Sequence, residues 1–174
     1  MGVRWSVVRG LLLAAAAATL AVGCGYQPLG ANDPTRGGLR VAVEPITNET
    51  FRPGIQGAVG GALLRQLRLG GILRSPEAGP PDLILSGSVT AYQNEPIAFD
   101  TQDIGQRFRV RVTVSATLVG RTDGKVRLRE PVVGEAFYTA GTGAVGARIA
   151  EDDALQRAAQ DVASKLVARL LEEW

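Results

Sequence analysis

The sequence predicts an α+β domain, a two-layer sandwich in which two helices cover one face of a four-stranded, mostly antiparallel sheet. Apolar side chains alternate along four stretches, as they do in strands that bury one face, and they recur at helical spacing along two others. The stretches follow each other in the order β-α-β-β-β-α. The first helix is then a crossover between two strands, and the last three strands form a meander packed under both helices.

A leader precedes this domain. Arg4 and Arg9 give the N-terminus a positive charge, and residues 11–22 form an apolar run dominated by Leu and Ala. The run is shorter than the roughly 20 residues that a helix needs to cross a bilayer. Residues 1–23 are therefore predicted to be a secretory signal peptide.

Cys24, the only cysteine, follows the leader directly. The ending Ala21-Val22-Gly23-Cys24 resembles a bacterial lipobox, although Ala21 stands where Leu is usual. We expect Cys24 to be acylated and to become the mature N-terminus; the alternative is an ordinary signal peptide with an unrelated cysteine. Several acyl chains would anchor the protein stably. Because Gly25, and not Asp, follows Cys24, the expected location is the outer membrane, facing the periplasm.

Composition excludes several classes of function. The net charge of +2 comes from Arg4 and Arg9, so the mature chain is formally neutral and gives no support to a nucleic-acid partner. The absence of histidine removes the commonest general base and the commonest zinc ligand. We expect no cofactor or metal beyond the covalent lipid on Cys24, and no enzymatic activity. Residues 24–37, rich in Gly, Pro and Asn, are a predicted tether, and residues 38–174 a single domain.

The first half of the domain is predicted as strand, loop, helix. Residues 38–45 alternate as a strand whose hydrogen-bond ladder ends at Pro45, and residues 46–53 form a loop. Residues 54–69 form a helix with an apolar stripe. The stripe consists of Ile55, Val59, Leu63 and Leu67.

Residues 82–92 are the second predicted strand, followed by a long loop over residues 93–104. Leu83, Leu85, Val89 and Ala91 are expected to face the core. Long loops are often functional, so the apolar side chains in and next to this loop are candidate contacts for a partner protein. They are Tyr92, Ile97 and Phe99.

Residues 106–119 show the cleanest alternation in the chain, and Asp123-Gly124 then marks a hairpin turn. Residues 125–139 return as an edge strand, in which Pro131 and Gly134 predict a break or a bulge. Residues 140–147 are a linker of small residues, and residues 149–172 form the second helix. Its predicted outer face carries Arg157, Asp161, Lys165 and Arg169.

The polar side of the hairpin is rich in arginine. Five arginines on this side are candidate phosphate-binding residues: Arg107, Arg109, Arg111, Arg127 and Arg129. Guanidinium groups bind phosphate through paired hydrogen bonds. The alternative is that they form the solvated face of a half-buried hairpin. Glu95, Asp100 and Asp103 would be the acid/base groups of a carboxylate enzyme, but a mobile acidic loop explains them more simply.

Together these stretches resemble the family of the LPS-assembly lipoprotein LptE. The resemblance is carried in order by Cys24-Gly25-Tyr26, by VAVEPITNETFRPG at residues 41–54, by SGSVTAYQNEPIAFD at residues 86–100, by the alternating strand after it and by the terminal LVARLLEEW. It implies a role without catalysis: a plug inside the β-barrel protein LptD that assists barrel assembly and supports lipopolysaccharide transport. Because lipid A carries phosphates, the resemblance also makes lipopolysaccharide the expected ligand of the candidate arginines on the hairpin. Contact of these arginines with polar groups lining a barrel lumen stays open as another use. The alternatives are another envelope lipoprotein, serving as an adaptor or secretion accessory, and an enzyme.

Overall fold

Five strands and two helices make up the part of the domain that the structure describes. A computed structural model describes residues 40–72, 80–101 and 104–172. Its elements are β1 (Val41–Val43), β2 (Thr47–Asn48), α1 (Ile55–Leu69), β3 (Leu83–Phe99), β4 (Gly105–Gly120), β5 (Val126–Thr139) and α2 (Gly143–Glu172).

The sheet has the order β1-β3-β4-β5, with β2 also beside β3. β1 and β2 run parallel to β3, whereas β3, β4 and β5 are antiparallel to each other. The predicted α+β fold is confirmed. β2 is an additional short strand within the predicted loop 46–53. The ladder of the edge strand is interrupted around Pro45, which has no N–H to donate, and resumes at Thr47.

β3 continues to Phe99, so the prediction of a loop over residues 93–104 is wrong. A register shift between Val89 and Ala91 inserts one extra residue, which reverses the alternation. Ala91 therefore pairs with Thr113 on the outer face, contrary to prediction, while Tyr92 pairs with Val112 and faces the helices. The bulge interrupts the alternation of apolar side chains, but the strand itself continues through it.

The core lies between the sheet and the two helices. The predicted stripe of α1 is confirmed, because Ile55, Val59, Leu63 and Leu67 are all buried. Opposite them the inward face of β4 contributes an unbroken row of buried side chains. The row consists of Val110, Val112, Val114, Ala116 and Leu118.

Gly134 lets α2 lie almost directly on β5. A Cβ atom at this position would be 2.2 Å from the carbonyl oxygen of Ala158 and 2.6 Å from a methyl group of Val162. The predicted break or bulge at Pro131 and Gly134 is wrong, since both residues pair in register with β4. The glycine serves the contact between helix and sheet, and Pro131 is tolerated because β5 is an edge strand.

α2 begins at Gly143, six residues before the predicted start, so most of the predicted linker 140–147 is helical. Its polar side chains do not simply face solvent. Arg157 donates to the carbonyl of Phe137 (3.0 Å), and Lys165 donates to the carbonyl of Val133 (2.8 Å).

Asp161, between these two on the helix, accepts from the backbone N–H of Glu135 (3.0 Å). Four residues of helix rise about 6 Å and two residues of strand about 6.7 Å, so every fourth side chain of α2 meets the next outward backbone group of β5. α2 thereby covers the free edge of β5. Arg169 continues the series through an ion pair with Glu130.

The alternating directions of the elements give the domain two ends. We call proximal the end that carries Arg40, the β4–β5 turn and the last turns of α1 and α2. We call distal the end that carries the β3–β4 turn and the start of α2. Beyond Val89, the outer edge of β3 has no neighbouring strand among the described residues.

Gly134→Ala should destabilise the domain by about 1–3 kcal/mol, because the new methyl group pushes α2 away from β5. Gly57→Ala is the matched control: its Cβ meets nothing within 4 Å, and alanine in the interior of α1 should stabilise by up to about 1 kcal/mol. Urea denaturation of both variants measures the two changes. A neutral Gly134→Ala would contradict the described packing.

Asp82 fixes the start of β1. Its carboxylate accepts from the backbone N–H (3.0 Å), Nε (3.1 Å) and Nη2 (2.9 Å) of Arg40. These hydrogen bonds, the side-chain ones first, lower the pKa of Asp82.

Since the pKa is lower in the folded protein than in the unfolded chain, the stabilisation from Asp82 is present above the ordinary Asp pKa and is lost as the pH falls through the folded value. We expect the hydrogen-exchange protection factors of β1, which are corrected for the intrinsic pH dependence of exchange, to fall in acid before those of β4 do. Asp82→Asn should lower the protection factors of β1 at neutral pH already; wild-type protection factors that fall together in β1 and β4 would contradict the role of Asp82.

Candidate functional site

The outer face of the sheet separates the five candidate arginines into two groups. On β4, Arg107, Arg109 and Arg111 pair across the strands with Thr139, Phe137 and Glu135 of β5. Arg129 instead pairs with Thr117, six residues further along β4, which is about 20 Å away at the rise of a strand. The arginines therefore do not form one patch: three lie toward the distal end, and Arg127 and Arg129 lie at the proximal end.

Two of the distal arginines are neutralised by neighbouring strands. Arg109 donates to the carboxylate of Glu95 on β3 (2.8 Å), and Arg111 donates to that of Glu135 on β5 (2.8 Å). Arg111 also contacts the side-chain oxygen of Gln93 (3.3 Å). The hydrogen bond from Arg109 holds the pKa of Glu95 below its ordinary value. These pairs bridge β3, β4 and β5 on the polar face.

The remaining candidates differ in their partners. Arg127 pairs with Asp123 in the β4–β5 turn (2.6 Å). Arg107 lies over the ring of Phe137, 5.9 Å from its centroid, and Arg129 is exposed. In the described part of the chain neither Arg107 nor Arg129 forms a salt bridge, so these two are the candidates with an available charge.

Arg107 also borders a cleft of about 510 Å³ between the distal ends of β4 and β5 and the helix α2. Thr139 and Arg157 line the same cleft, together with Asp153, which pairs with Arg157. One free guanidinium, one hydroxyl and one paired guanidinium can receive an anionic group, but the cleft is open to solvent.

The predicted contact residues occupy different environments. Ile97 and Phe99 lie near the distal end of β3 and are 43% and 57% exposed, close in sequence to exposed Ile104. Tyr92 is half-buried on the helix side, where its hydroxyl donates to Glu151 of α2 (2.6 Å). Of the three candidate contact residues, Ile97 and Phe99 are thus exposed at the distal end, whereas the hydroxyl of Tyr92 already has a partner within the domain.

Sequence reasoning missed a cluster around Tyr92. Arg52, from the loop before α1, pairs with Glu151 (3.1 Å) and Asp152 and lies over the ring of Tyr92 at 5.5 Å. Burial and the hydrogen bond to Glu151 raise the pKa of Tyr92. Only the bulge at Thr90 turns Tyr92 toward α2, and no pattern in the sequence marks that bulge.

The two described carboxylates that were considered for catalysis, Glu95 and Asp100, have separate partners and do not form a shared site. Glu95 is paired with Arg109, and Asp100 caps the β3–β4 turn by accepting from the N–H of Ile104 (2.9 Å) and from Gln106 (3.0 Å). Asp103 lies outside the described residues, as does Cys24. Within residues 40–72, 80–101 and 104–172, no group of three His, Cys, Asp or Glu side chains could hold a metal ion, and no helix is long and apolar enough to span a membrane.

Solved structures of low sequence identity share the fold. A protein from Xanthomonas campestris matches at 12% identity with a TM-score of 0.55, covering 78% of this chain and 84% of that one. Rare lipoprotein B from Shewanella oneidensis matches at 6% identity with a TM-score of 0.52, covering 76% and 94%.

A lipoprotein from Caulobacter crescentus matches at 20% identity with a TM-score of 0.52, covering 72% and 87%. At such identities the likeness concerns the fold alone. No curated protein sequence matches the chain.

A model of the LptE family, described as lipopolysaccharide-assembly, matches residues 39–170. The match runs from the residues just before β1 almost to the end of α2, and so includes every described strand, all of α1 and nearly all of α2. The chain therefore belongs to the LptE family of lipopolysaccharide-assembly proteins.

Proposed function

We propose that this protein is an outer-membrane lipoprotein that occupies the lumen of an LptD β-barrel, assists the assembly of that barrel and supports lipopolysaccharide transport to the cell surface. The observation that carries the proposal is the family match over residues 39–170. Acylation of Cys24 would hold the protein at the periplasmic side of the outer membrane.

The distal end of the domain is the surface we assign to the barrel. β3 and β4 pair along almost their whole length, so Ile97 and Phe99 are presented by a paired strand and not by a loose loop. Exposed Ile104 lies in the adjoining turn. An exposed group of large apolar side chains on an ordered element suits a protein partner, because its burial removes apolar surface from water at little cost in chain entropy.

We assign the lipopolysaccharide phosphates to Arg107 and Arg129. A charge that is already paired must lose its partner before it binds another anion, which applies to Arg109, Arg111 and Arg127. Arg107 and Arg129 carry no such cost. The paired arginines fit the simpler interpretation of a solvated face stabilised by ion pairs between strands.

Affinity purification of the lipidated protein from detergent-solubilised outer membranes should recover a large β-barrel protein in equimolar amount. Ile97→Ser combined with Phe99→Ser should reduce that recovery severalfold, because apolar contact area at the distal end is lost. Leu171→Ser, an exposed leucine near the proximal end, is the control and should leave recovery unchanged. Mass spectrometry of the eluate measures the recovered barrel protein for the unsubstituted protein, the double variant and the control.

An eluate without any large β-barrel protein would contradict the proposed partner. It would favour the alternative that this protein is an envelope adaptor. Equal losses for the double variant and for Leu171→Ser would remove the assignment to the distal end while leaving the partner in place. Cys24→Ala should abolish acylation, which intact-mass measurement of the purified protein checks.

Lipopolysaccharide binding should weaken at least about thirtyfold when Arg107→Gln and Arg129→Gln are combined, since each charge-assisted contact contributes on the order of 1 kcal/mol or more. Arg148→Gln removes another exposed cation without a salt bridge and should change binding little. Arg109→Gln tests the role of pairing: it should weaken binding less than Arg107→Gln and should raise the pKa of Glu95. Titration of the purified variants with lipopolysaccharide measures their affinities, and NMR of the carboxyl groups measures the pKa of Glu95. Equal losses for Arg107→Gln and Arg148→Gln would refute the assignment.

A further inference from the structure

Positive charge is concentrated at the proximal end of the domain. Among the described residues this end carries eight cationic side chains and four carboxylates, whereas the rest of the domain carries seven and nine. The eight cations are Arg40, Arg65, Arg68, Arg121, Lys125, Arg127, Arg129 and Arg169.

Most of this proximal charge is available to a partner. Three of the eight cations form salt bridges, with Asp82, Asp123 and Glu130. The other five are exposed and form no salt bridge within the described residues: Arg65, Arg68, Arg121, Lys125 and Arg129. Elsewhere in the described domain, only Arg107 and Arg148 lack a carboxylate partner.

The elements bring these cations to one level. Leu83 at the start of β3 pairs with Gly120 at the end of β4. Arg121 and Lys125 of the β4–β5 turn therefore lie beside the first residues of β1 and β3. α1 starts after β2, at the level of Val89, and its 15 residues descend about 22 Å, which matches the distance along β3 back to Leu83. Arg65 and Arg68 therefore reach the same end as the turn.

Exposed aliphatic side chains lie among the cations. Leu69, the last residue of α1, is 83% exposed next to Arg68, and Val126 is 48% exposed next to Lys125 and Arg127. A surface that combines basic and apolar side chains suits the boundary between lipid headgroups and acyl chains. There the basic side chains bind headgroup phosphates and the apolar side chains insert among the acyl chains.

We propose that the proximal end docks on a membrane surface of anionic phospholipid headgroups. The chain that leads to Cys24 enters the domain at this end, through Arg40. The 15 residues between Cys24 and Arg40 can span up to about 50 Å, so an acyl anchor alone would not hold the domain against the bilayer. Each basic side chain near an anionic surface strengthens binding about fivefold, provided that it lies within a Debye length of about 8–10 Å.

This docking does not depend on barrel or lipopolysaccharide binding; it takes from the proposed function only the direction of the anchor. It places the distal end, with Ile97 and Phe99, away from the phospholipid surface. The domain would be oriented by two attachments at one end, one covalent and one electrostatic.

The test uses the mature chain, residues 24–174, with Cys24→Ala, so that no acyl chain contributes to binding. The probes are vesicles of phosphatidylcholine alone and of phosphatidylcholine mixed with phosphatidylglycerol, and cosedimentation is the measurement. We expect binding only to the mixed vesicles, and a loss of binding as salt is raised. Equal binding to both vesicles, or binding to neither, would overturn the proposal.

The variant Arg65→Gln, Arg68→Gln, Arg121→Gln, Lys125→Gln should weaken binding to the mixed vesicles by at least about tenfold. These side chains are exposed and unpaired, so thermal unfolding should be unchanged. Single Arg121→Gln and single Arg148→Gln form a matched pair, since each removes one unpaired charge from opposite ends of the domain. Only Arg121→Gln should weaken binding, and equal effects would refute a localised surface.

Lipopolysaccharide binding by the same variants separates the two proposals. Loss of vesicle binding with lipopolysaccharide binding retained in the fourfold variant supports a phospholipid surface formed by the four substituted cations. Arg129, which lies beside them, then keeps its separate assignment to lipopolysaccharide together with Arg107. Loss of lipopolysaccharide binding alone, with no vesicle binding by the wild type, would assign the proximal cations to lipopolysaccharide and overturn the phospholipid surface.

Discussion

The close contact between α2 and β5 is the constraint on which the rest of the domain depends. Gly134 removes the one side chain that would separate them, and the helix then lies near enough for Arg157, Asp161 and Lys165 to bond to the strand edge. The same contact buries Ala158 and Val162 and thereby sets the position of α1, which packs on α2. One glycine thus serves both the packing of the core and the closure of the sheet edge.

Alternation and helical spacing in the sequence were sufficient to predict the order of all elements except the short strand β2, and most of the core. The stripe of α1 and the row from Val110 to Leu118 lie where their periodicity places them. The same method failed at Thr90, because one extra residue reverses the alternation, and it therefore misplaced Ala91 and Tyr92 and ended β3 too early. Periodicity also cannot show that Gly134 accommodates a helix, since the relevant neighbour, Ala158, is remote in sequence.

The candidate site was less predictable than the fold. The sequence places five arginines on one face of a hairpin, but only the register shows that Arg111 lies opposite Glu135 and that Arg129 lies far along the strand. Whether a guanidinium is available to a ligand depends on these cross-strand neighbours, and a glutamate from β3 is not visible in the pattern of β4 at all. The arrangement reduces one predicted patch to two separate, available charges at opposite ends.

The coverage of β5 by α2 also has a consequence for the folding of the chain. α2 follows the meander in the chain, so until α2 docks the meander has an open edge at β5 and an uncovered apolar face. An edge of this kind pairs readily with any other extended chain. Docking of α2 therefore protects the sheet against misassembly. The folding domain most needs a chaperone in the period before this helix docks.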